Sequence, residues 1–393
     1  MEKKIYRLSN ATLLLGWITI VTGLFFLPSR HCYKNTVYVL FIFPSLFLAY
    51  HFVYKERKRI NIPFVFFICV LLWLVISSLW ASETDLTRAI RRAIVIGITP
   101  ISFYYLLKDK KLFYWTTVIS VTAVSAFLTY WEAHTVLLHQ SLFNFFRLHF
   151  LLHVKPMFNI LMFSHVLGFL TAIMIAIAMS ATGYIRIISL FNIIILSSII
   201  FFLGERTPII SLLFVCIVLL PLNLIHLKSK LFWLSLAIII IIIIFNHQHI
   251  TAMILQRKFI RISIWTEAIQ LSLKKIFFGH GWDTPILIHT VYKNIPVTFH
   301  DAHNLFIQML FYGGLVGLTL IAGLYTSCLL FALRHKMMFG IVLTAFGFAA
   351  VQTDGMGLLS KPKEEWFNVW LPVAIVIAQS LLMTNTKKGT GQY

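Results

Sequence analysis

The sequence predicts an all-α, polytopic membrane protein with about 12 transmembrane helices. Hydrophobic residues make up 59% of the 393 residues, and the mean hydropathy of +0.87 is far above that of a soluble domain. The apolar residues fall in runs of roughly 20, the length that a helix needs to cross a bilayer core. Charged residues, only 12% of the chain, collect mostly between those runs.

Each predicted span is an apolar run bounded by polar residues. The first, 11–28, follows a basic N-terminus but lacks the small-residue cleavage pattern of a signal peptide, so we expect it to be retained. The other spans are predicted at 37–54, 62–81, 93–107, 112–131, 158–181, 187–204, 208–226, 231–246, 305–333, 337–353 and 367–384. The whole chain, 1–393, is then a single integral membrane domain.

The loop charges predict the orientation of these spans. Lys and Arg residues collect in alternate loops, as at 55–59, 108–111 and 334–336, and cytoplasmic loops are the ones that carry such an excess. Both termini are therefore predicted to be cytoplasmic. The loops on the opposite side are 29–36, 82–92, 132–157, 205–207, 247–304 and 354–366.

Composition also excludes several classes of partner. The formal net charge of +20 would suggest nucleic acid in a soluble protein, but most basic residues here lie in short loops, where anionic lipid and the insertion rules account for them. We expect no nucleic-acid partner. The four cysteines have no metal-ligand spacing and predict neither a disulfide nor zinc.

The segment 134–153 differs from the spans because it alternates Leu and Phe with His and Arg. This composition predicts an amphipathic helix that lies in the membrane interface.

The segment from Asn246 to Gly317 is the longest polar interruption of the apolar pattern, and we interpret it as the working part. Arg257 and Arg261 are four residues apart, with Trp265 continuing the spacing. Residues at this spacing share one face of a helix, so the pattern predicts a short helix with a basic ridge.

Two further motifs follow in the same segment. Residues 279–282 read Gly-His-Gly-Trp, in which two glycines predict a turn with backbone conformations closed to other residues. His303 and Asn304 then stand at the start of the helix predicted at 305–333. Gly313, Gly314 and Gly317 predict that another helix approaches this one closely.

Arg206 is the remaining unusual residue. It lies between two apolar runs, in the sequence Gly-Glu-Arg-Thr-Pro at 204–208, and Pro208 suits the first turn of a helix. An arginine near membrane depth is costly unless it meets an anion or water, so Arg206 is a candidate functional residue. Glu205 beside it is a candidate ion-pair partner.

This ordered set of motifs resembles the signature of the O-antigen ligase and polymerase superfamily of bacterial inner membranes. The resemblance rests on Arg261 with Trp265, the turn at 279–282, and His303-Asn304 followed by Gly314 and Gly317. It implies a GT-C-like glycosyltransferase whose large periplasmic loop, 247–304, lies between helices 9 and 10 and carries the catalytic motifs.

The resemblance also implies the reaction. The donor is a glycan on undecaprenyl pyrophosphate, the acceptor is a hydroxyl of lipid A–core oligosaccharide, and displacement inverts the anomeric carbon. His303 takes the hydroxyl proton, while Arg261 and Arg206 stabilise the pyrophosphate that leaves. The other predicted substrate-binding residues are Arg257, Arg88, Arg91, Asn304, Trp265 and Trp282, with Arg92 as a further candidate for the arginine cluster.

No metal or other cofactor is expected, because the periplasmic carboxylates contain no aspartate pair of the kind that metal-dependent glycosyl transfer uses. His300, Asp301 and His303 are the only cluster that suggests a metal site.

Three alternatives stay open at this point. A polymerase of the same superfamily uses a second lipid-linked glycan as acceptor, and a further relative attaches glycans to protein. A transporter or flippase is the rival from another class, although the chain lacks paired broken helices in corresponding halves.

Overall fold

The computed structural model describes residues 2–56, 60–82, 85–137, 160–220, 247–292, 295–353, 355 and 357–386. Nearly all of them are helical, which confirms the predicted all-α class. In this described part, eight helices are long and apolar enough to cross a membrane, and three shorter apolar helices accompany them. These helices correspond to eleven predicted spans. The predicted span 231–246 lies outside the described residues, as does most of the segment 134–153.

The helices in chain order are α1 (Glu2–Phe26), α2 (Arg30–Val37), α3 (Phe43–His51), α4 (Ile62–Ser77), α5 (Leu86–Gly97), α6 (Thr99–Lys108), α7 (Lys110–Leu137), α8 (Ile160–Ser180), α9 (Gly183–Leu203), α10 (Arg206–Leu219), α11 (His247–Leu273), α12 (Leu305–Arg334), α13 (Met338–Val351) and α14 (Trp370–Thr386). Short π-helical segments, Tyr38–Ile42 and Phe52–Glu56, extend α2 and α3 into one long rod. Strands β1 (Ile288–Tyr292) and β2 (Ile295–Phe299) form an antiparallel hairpin. This hairpin is the one sheet within the described residues.

Two predicted loop boundaries are wrong. The predicted loop 29–36 is helical from Arg30, and the predicted loop 82–92 is helical from Leu86. Asp85 fixes the second start, because its Oδ1 accepts a hydrogen bond from the Arg88 amide at 2.8 Å and so satisfies a donor of the first turn. The arginines at 88, 91 and 92 lower the mean hydropathy of the first two turns, which is why the apolar pattern alone predicted a start near 93.

Helices α8, α13 and α14 form the buried centre of the bundle. Leu170 of α8, Phe346 of α13 and Ile375 of α14 are each fully buried. Helix α10 packs against α8, where a Cβ added at Gly168 would lie 2.8 Å from the Pro208 side chain. The start of α10, which carries Arg206, is therefore held tightly against the central helices.

The predicted periplasmic segment 247–304 contains α11, the turn at 279–282 and the hairpin. Helix α11 has 27 residues and so is longer than the short helix predicted around Arg261. A second, smaller core joins these pieces: Ala268 of α11 packs with Ile288 of β1 and Phe311 of α12. This core fixes α11 beside the start of α12.

The loops predicted on one side of the membrane meet at one end of the bundle. Arg92 of α5 donates a hydrogen bond from Nη1 to the Leu359 carbonyl, which follows α13, at 2.8 Å. At the other end, Lys108 of α6 pairs with Glu56. These contacts place the loops 82–92 and 354–366 at one end and Glu56 with Lys108 at the other, and the membrane orientation stays a prediction.

Candidate active site

The connection that leaves α13 joins three of the predicted motifs. Arg261 of α11 donates from Nη1 to the Thr353 carbonyl at 2.7 Å. The Thr353 hydroxyl donates to the hydroxyl of Thr207, the neighbour of Arg206, at 2.9 Å. Asn304 donates from Nδ2 to the Gln352 carbonyl at 3.0 Å. Three distant parts of the sequence are thus held together by two residues, 352 and 353, which we call the α13 junction.

Arg261 is half-buried on the face of α11 that turns towards the α13 junction. Trp265, one turn further along, packs at the edge of the second core, and its buried indole N–H has no hydrogen-bond partner among the described residues. Arg257 lies one turn earlier on the same helix, so the predicted ridge is present in the backbone, while its side chain lies outside the described part. The hydrogen bond to the Thr353 carbonyl orients the Arg261 guanidinium, whose planar fork suits phosphate oxygens.

Arg206 is the first residue of α10. Gly204 ends α9 in a left-handed conformation, with φ of +67°, and Glu205 then runs in extended conformation into the helix. Pro208 falls in the first turn, as predicted. Arg206 therefore sits at a helix N-terminus, where the helix dipole and the guanidinium both favour an anion. Glu205 is buried beside it, at 6% exposure.

His303 lies just outside α12 rather than beginning it. Its φ is +51°, in the left-handed region, and its amide donates to Asp301 Oδ1. Asn304 is the N-cap, because its Oδ1 accepts from the amides of Phe306 and Ile307 at 2.9 and 3.2 Å. The helix therefore begins at Leu305, as predicted, and His303 lies one residue before its Asn304 cap.

The orientation of His303 follows from its neighbours. Ala302 is fully buried in the second core, and the His303 ring lies edge-on to Phe299 of β2, with centroids 6.3 Å apart. On the other side of His303, Asn304 is fixed because its Nδ2 donates to the Gln352 carbonyl of the α13 junction. The histidine is half-buried between these two anchors.

The turn at 279–282 docks on a break in α12. The amides of His280 and Gly281 donate to the carbonyls of Phe311 and Tyr312 at 2.8 and 2.9 Å. Gly314 leaves the helical conformation there, with φ of +63° and ψ of −159°. The glycines of α12 were predicted to admit another helix, and Gly313 and Gly317 do so, because an added Cβ would lie 2.7 and 3.2 Å from Nε1 of Trp73 on α4. Gly314 instead breaks α12 and admits the turn.

A larger side chain at Gly314 should destabilise the fold strongly. An added Cβ would lie 2.3 Å from the Phe277 carbonyl oxygen, and the positive φ adds strain of about 1–3 kcal/mol. We expect Gly314→Ala to lower the melting temperature of the purified protein well below that of Gly183→Ala. Gly183 is a matched control, because its φ is +64° but nothing lies within 4 Å of an added Cβ. Equal shifts for the two variants would show that the docked turn does not require a glycine at 314.

The predicted arginines of α5 divide between different surroundings. Arg88 pairs with Asp85 at 3.1 Å and with Asp283 at 3.4 Å, and the Arg88 amide holds the pKa of the Asp85 carboxyl below its usual range. Arg91 borders an apolar groove of about 320 Å³ whose walls include Ile90 and Ile94. Arg88 thus ties α5 to the turn at 279–282, whereas Arg91 stands at the edge of a surface suited to a lipid chain.

Arg92 and Trp282 meet at the other side of α5. The Arg92 guanidinium lies 5.6 Å from the centroid of the Trp282 ring, a cation–π distance, and Trp282 is buried at 6% exposure. Both residues border a cavity of about 550 Å³ that also reaches Asp301. The predicted residues Trp282 and Arg92 therefore adjoin the His303 segment through this cavity.

Sequence reasoning missed the α13 junction and the lysines of the cavity. Gln352 and Thr353 use backbone carbonyls, which no residue pattern reveals. Lys34 and Lys361 border the cavity, and both lie in loops predicted on the side where insertion rules disfavour basic residues. That exception to the rule is the signal that could have found them.

The suggested metal cluster does not form. Within the described residues, no group of three or more His, Cys, Asp or Glu side chains has a geometry that could hold a metal ion.

Two comparisons with known proteins bear on the family. Residues 191–322 match the O-antigen ligase family model, and they include Arg206, Arg261, His303 and the α12 glycines at 313, 314 and 317. The chain is also 26% identical to the O-antigen ligase of Pseudomonas aeruginosa, over 94% of this chain and 91% of that protein. Both comparisons show that this chain is similar to O-antigen ligases, in agreement with the resemblance seen in its motifs.

Proposed function

We propose that this chain is an O-antigen ligase, which transfers O-antigen glycan from undecaprenyl pyrophosphate to lipid A–core oligosaccharide on the periplasmic face of the inner membrane. The likeness to O-antigen ligases supports the coarser role, in the assembly of O-antigen and lipopolysaccharide by a multi-pass membrane protein. The observation that carries the finer proposal is the α13 junction, which holds Arg261, the Arg206 segment and the His303-Asn304 pair at one place.

The proposed step is a single displacement at the anomeric carbon. The acceptor hydroxyl oxygen forms the new glycosidic bond while the bond from the anomeric carbon to the pyrophosphate oxygen breaks. The electron pair leaves with undecaprenyl pyrophosphate, and the hydroxyl proton passes to the His303 imidazole. Attack opposite the leaving group inverts the anomeric configuration.

The arginines act on the leaving group. Negative charge grows on the pyrophosphate as its bond to the sugar breaks, and preorganised donors stabilise that charge more than they stabilise the ground state. Arg261 is oriented by Thr353, and Arg206 is oriented by its place at the start of α10. Two guanidinium groups supply the positive charge that a divalent cation would otherwise supply, so we propose a metal-independent reaction.

The acceptor distinguishes the proposal from its nearest alternative. Purified protein is given an undecaprenyl-pyrophosphate glycan together with either lipid A–core or a second lipid-linked glycan, in EDTA throughout. We expect transfer to lipid A–core with release of undecaprenyl pyrophosphate. Transfer only to the lipid-linked glycan would identify a polymerase, and a requirement for added Mg²⁺ or Mn²⁺ would overturn the metal-independent mechanism.

The membrane orientation gives a separate prediction. The loop charges predict that both termini lie in the cytoplasm and the segment 247–304 in the periplasm. Alkaline phosphatase, which is active only in the periplasm, is expected to be active when fused after Asp283 and inactive when fused after Lys230. The reverse pattern would place the candidate active site in the cytoplasm, away from the proposed donor and acceptor.

A further inference from the structure

The cavity beside α12 is bordered by an unusual number of basic side chains. Its volume is about 550 Å³, and the start of α12 contributes Gln308 and Tyr312 to its wall. Five cations come from three separate parts of the chain: Arg30, Lys34, Arg92, Lys361 and Lys363. Three carboxylates also border it: Asp301, Glu364 and Glu365. The cavity therefore carries an excess of positive charge.

The ion pairs within the cavity wall leave that excess on Arg92 and two lysines, and the Arg92 guanidinium already contacts the Leu359 carbonyl and the Trp282 ring. Arg30 lies 3.0 Å from Glu364, and Lys363 pairs with Glu365. Lys34 and Lys361 form no ion pair among the residues that the structure describes. Lys34 lowers the pKa of the Lys361 ammonium, with smaller contributions from burial and from the arginines of α5. Like charges thus face each other, and an anion between them would relieve their repulsion.

Membrane insertion does not account for these lysines. Lys34 lies on α2 and Lys361 on the connection between α13 and α14, both on the predicted periplasmic side. The positive-inside rule explains basic residues on the cytoplasmic side only. A basic cluster on the other side therefore requires another cause, and binding of an anionic ligand is one.

The cavity lies next to the proposed base. Asp301 borders the cavity, and its Oδ1 accepts from the His303 amide. The connection that supplies Lys361 begins with Gln352 and Thr353, the α13 junction. A ligand in the cavity would therefore lie beside His303, while the pyrophosphate would contact the arginines on the α13 junction.

We propose that this basic cavity binds a phosphorylated sugar of the acceptor glycolipid and so positions the acceptor hydroxyl at His303. The inference rests on the proposed ligase function and adds the recognition of the acceptor. A phosphate monoester carries close to two negative charges at neutral pH, which matches two lysines that have no carboxylate partner among the described residues. Lysine binds such a group as a point charge, without the fixed geometry of a guanidinium.

The test compares a double variant with a matched control. The test variant carries Lys34→Gln and Lys361→Gln, which remove the two lysine charges without an ion pair among the described residues. The control variant carries Lys110→Gln and Lys111→Gln, which remove two exposed lysines at the start of α7. We expect the first variant to raise KM for phosphorylated lipid A–core about tenfold, with kcat and donor KM nearly unchanged. The control variant should match the wild type. With an enzymatically dephosphorylated acceptor, the first variant and the wild type should have the same acceptor KM.

Three results would overturn the inference. A rise in donor KM in place of acceptor KM would assign the cavity to the pyrophosphate. A persistent defect on the dephosphorylated acceptor would show that the lysines do not recognise phosphate, and unchanged kinetics would show that they do not act. Equilibrium binding of the fluorescently labelled acceptor to the same variants separates this inference from the proposed function. If the wild type binds the phosphorylated acceptor through these lysines but transfers nothing, the ligase proposal fails and the binding site stands.

Discussion

Replacement of His303 by alanine is expected to lower the rate of transfer by about 10²-fold or more, the usual effect of losing a general base. The imidazole lies just before the N-terminus of α12, where the helix dipole disfavours its protonated form. A neutral ring can accept the acceptor's proton. Binding of the undecaprenyl-linked donor should be nearly unchanged, because the proposed donor contacts are made by the arginines.

The backbone at His303 requires a second variant. Its φ of +51° is strained for most side chains, whereas asparagine tolerates the left-handed region well. His303→Asn therefore keeps the local conformation and removes the base, and we expect the same loss of kcat. His289→Ala, at an exposed site on β1, is the control for a lost histidine. If donor binding falls as far as the rate in both His303 variants, the histidine contacts the pyrophosphate and the assignment as base is wrong.

The sequence predicted the helices well where their ends are apolar and poorly where the ends carry function. The first turns of α5 hold three arginines, so the hydropathy signal begins only near 93, although Ala89 is already fully buried. Such a helix buries one face while presenting charge on another, and a hydropathy average over both faces conceals where the helix starts. The same cause hid the helical start at Arg30.

The candidate site was predictable in its side chains but not in its assembly. Arg261, Arg206 and His303 stand out because charge and imidazole are rare near membrane depth. Arg261 and Asn304 are held by the backbone carbonyls of Thr353 and Gln352, and every residue type supplies a carbonyl; only the link to the Arg206 segment uses a side chain, the Thr353 hydroxyl. Contacts of this kind depend on where α13 ends in the fold, so the local pattern does not reveal them.

The α12 glycines illustrate a related limit. The glycines at 313 and 317 admit helix α4, as predicted, whereas Gly314 admits a loop, because small residues on a helix fit either. The outcome depended on Gly279, whose own added Cβ would lie 2.5 Å from the Tyr312 carbonyl oxygen. Two glycines from different motifs meet at one contact, which explains why both motifs occur in one chain.

The second large effect is expected when Arg261 or Arg206 is changed to lysine. Lysine keeps the charge but loses the planar fork that binds two phosphate oxygens at once. At position 261 the guanidinium also donates to the Thr353 carbonyl, and one ammonium cannot reproduce that bond together with a bidentate contact. Loss of one charge-assisted hydrogen bond costs about 1.5–3 kcal/mol. We therefore expect transfer to fall about 10- to 100-fold in each single variant.

Arg334→Lys, at the exposed end of α12 away from the α13 junction, provides the matched control. Rates are measured on purified protein whose melting temperature equals that of the wild type, so that a folding defect is excluded. The two arginines are proposed to act on one pyrophosphate, and their effects should then be non-additive when both are changed. Full transfer by both Arg261→Lys and Arg206→Lys would show that charge alone suffices at these positions, and the proposed bidentate recognition of phosphate would be wrong.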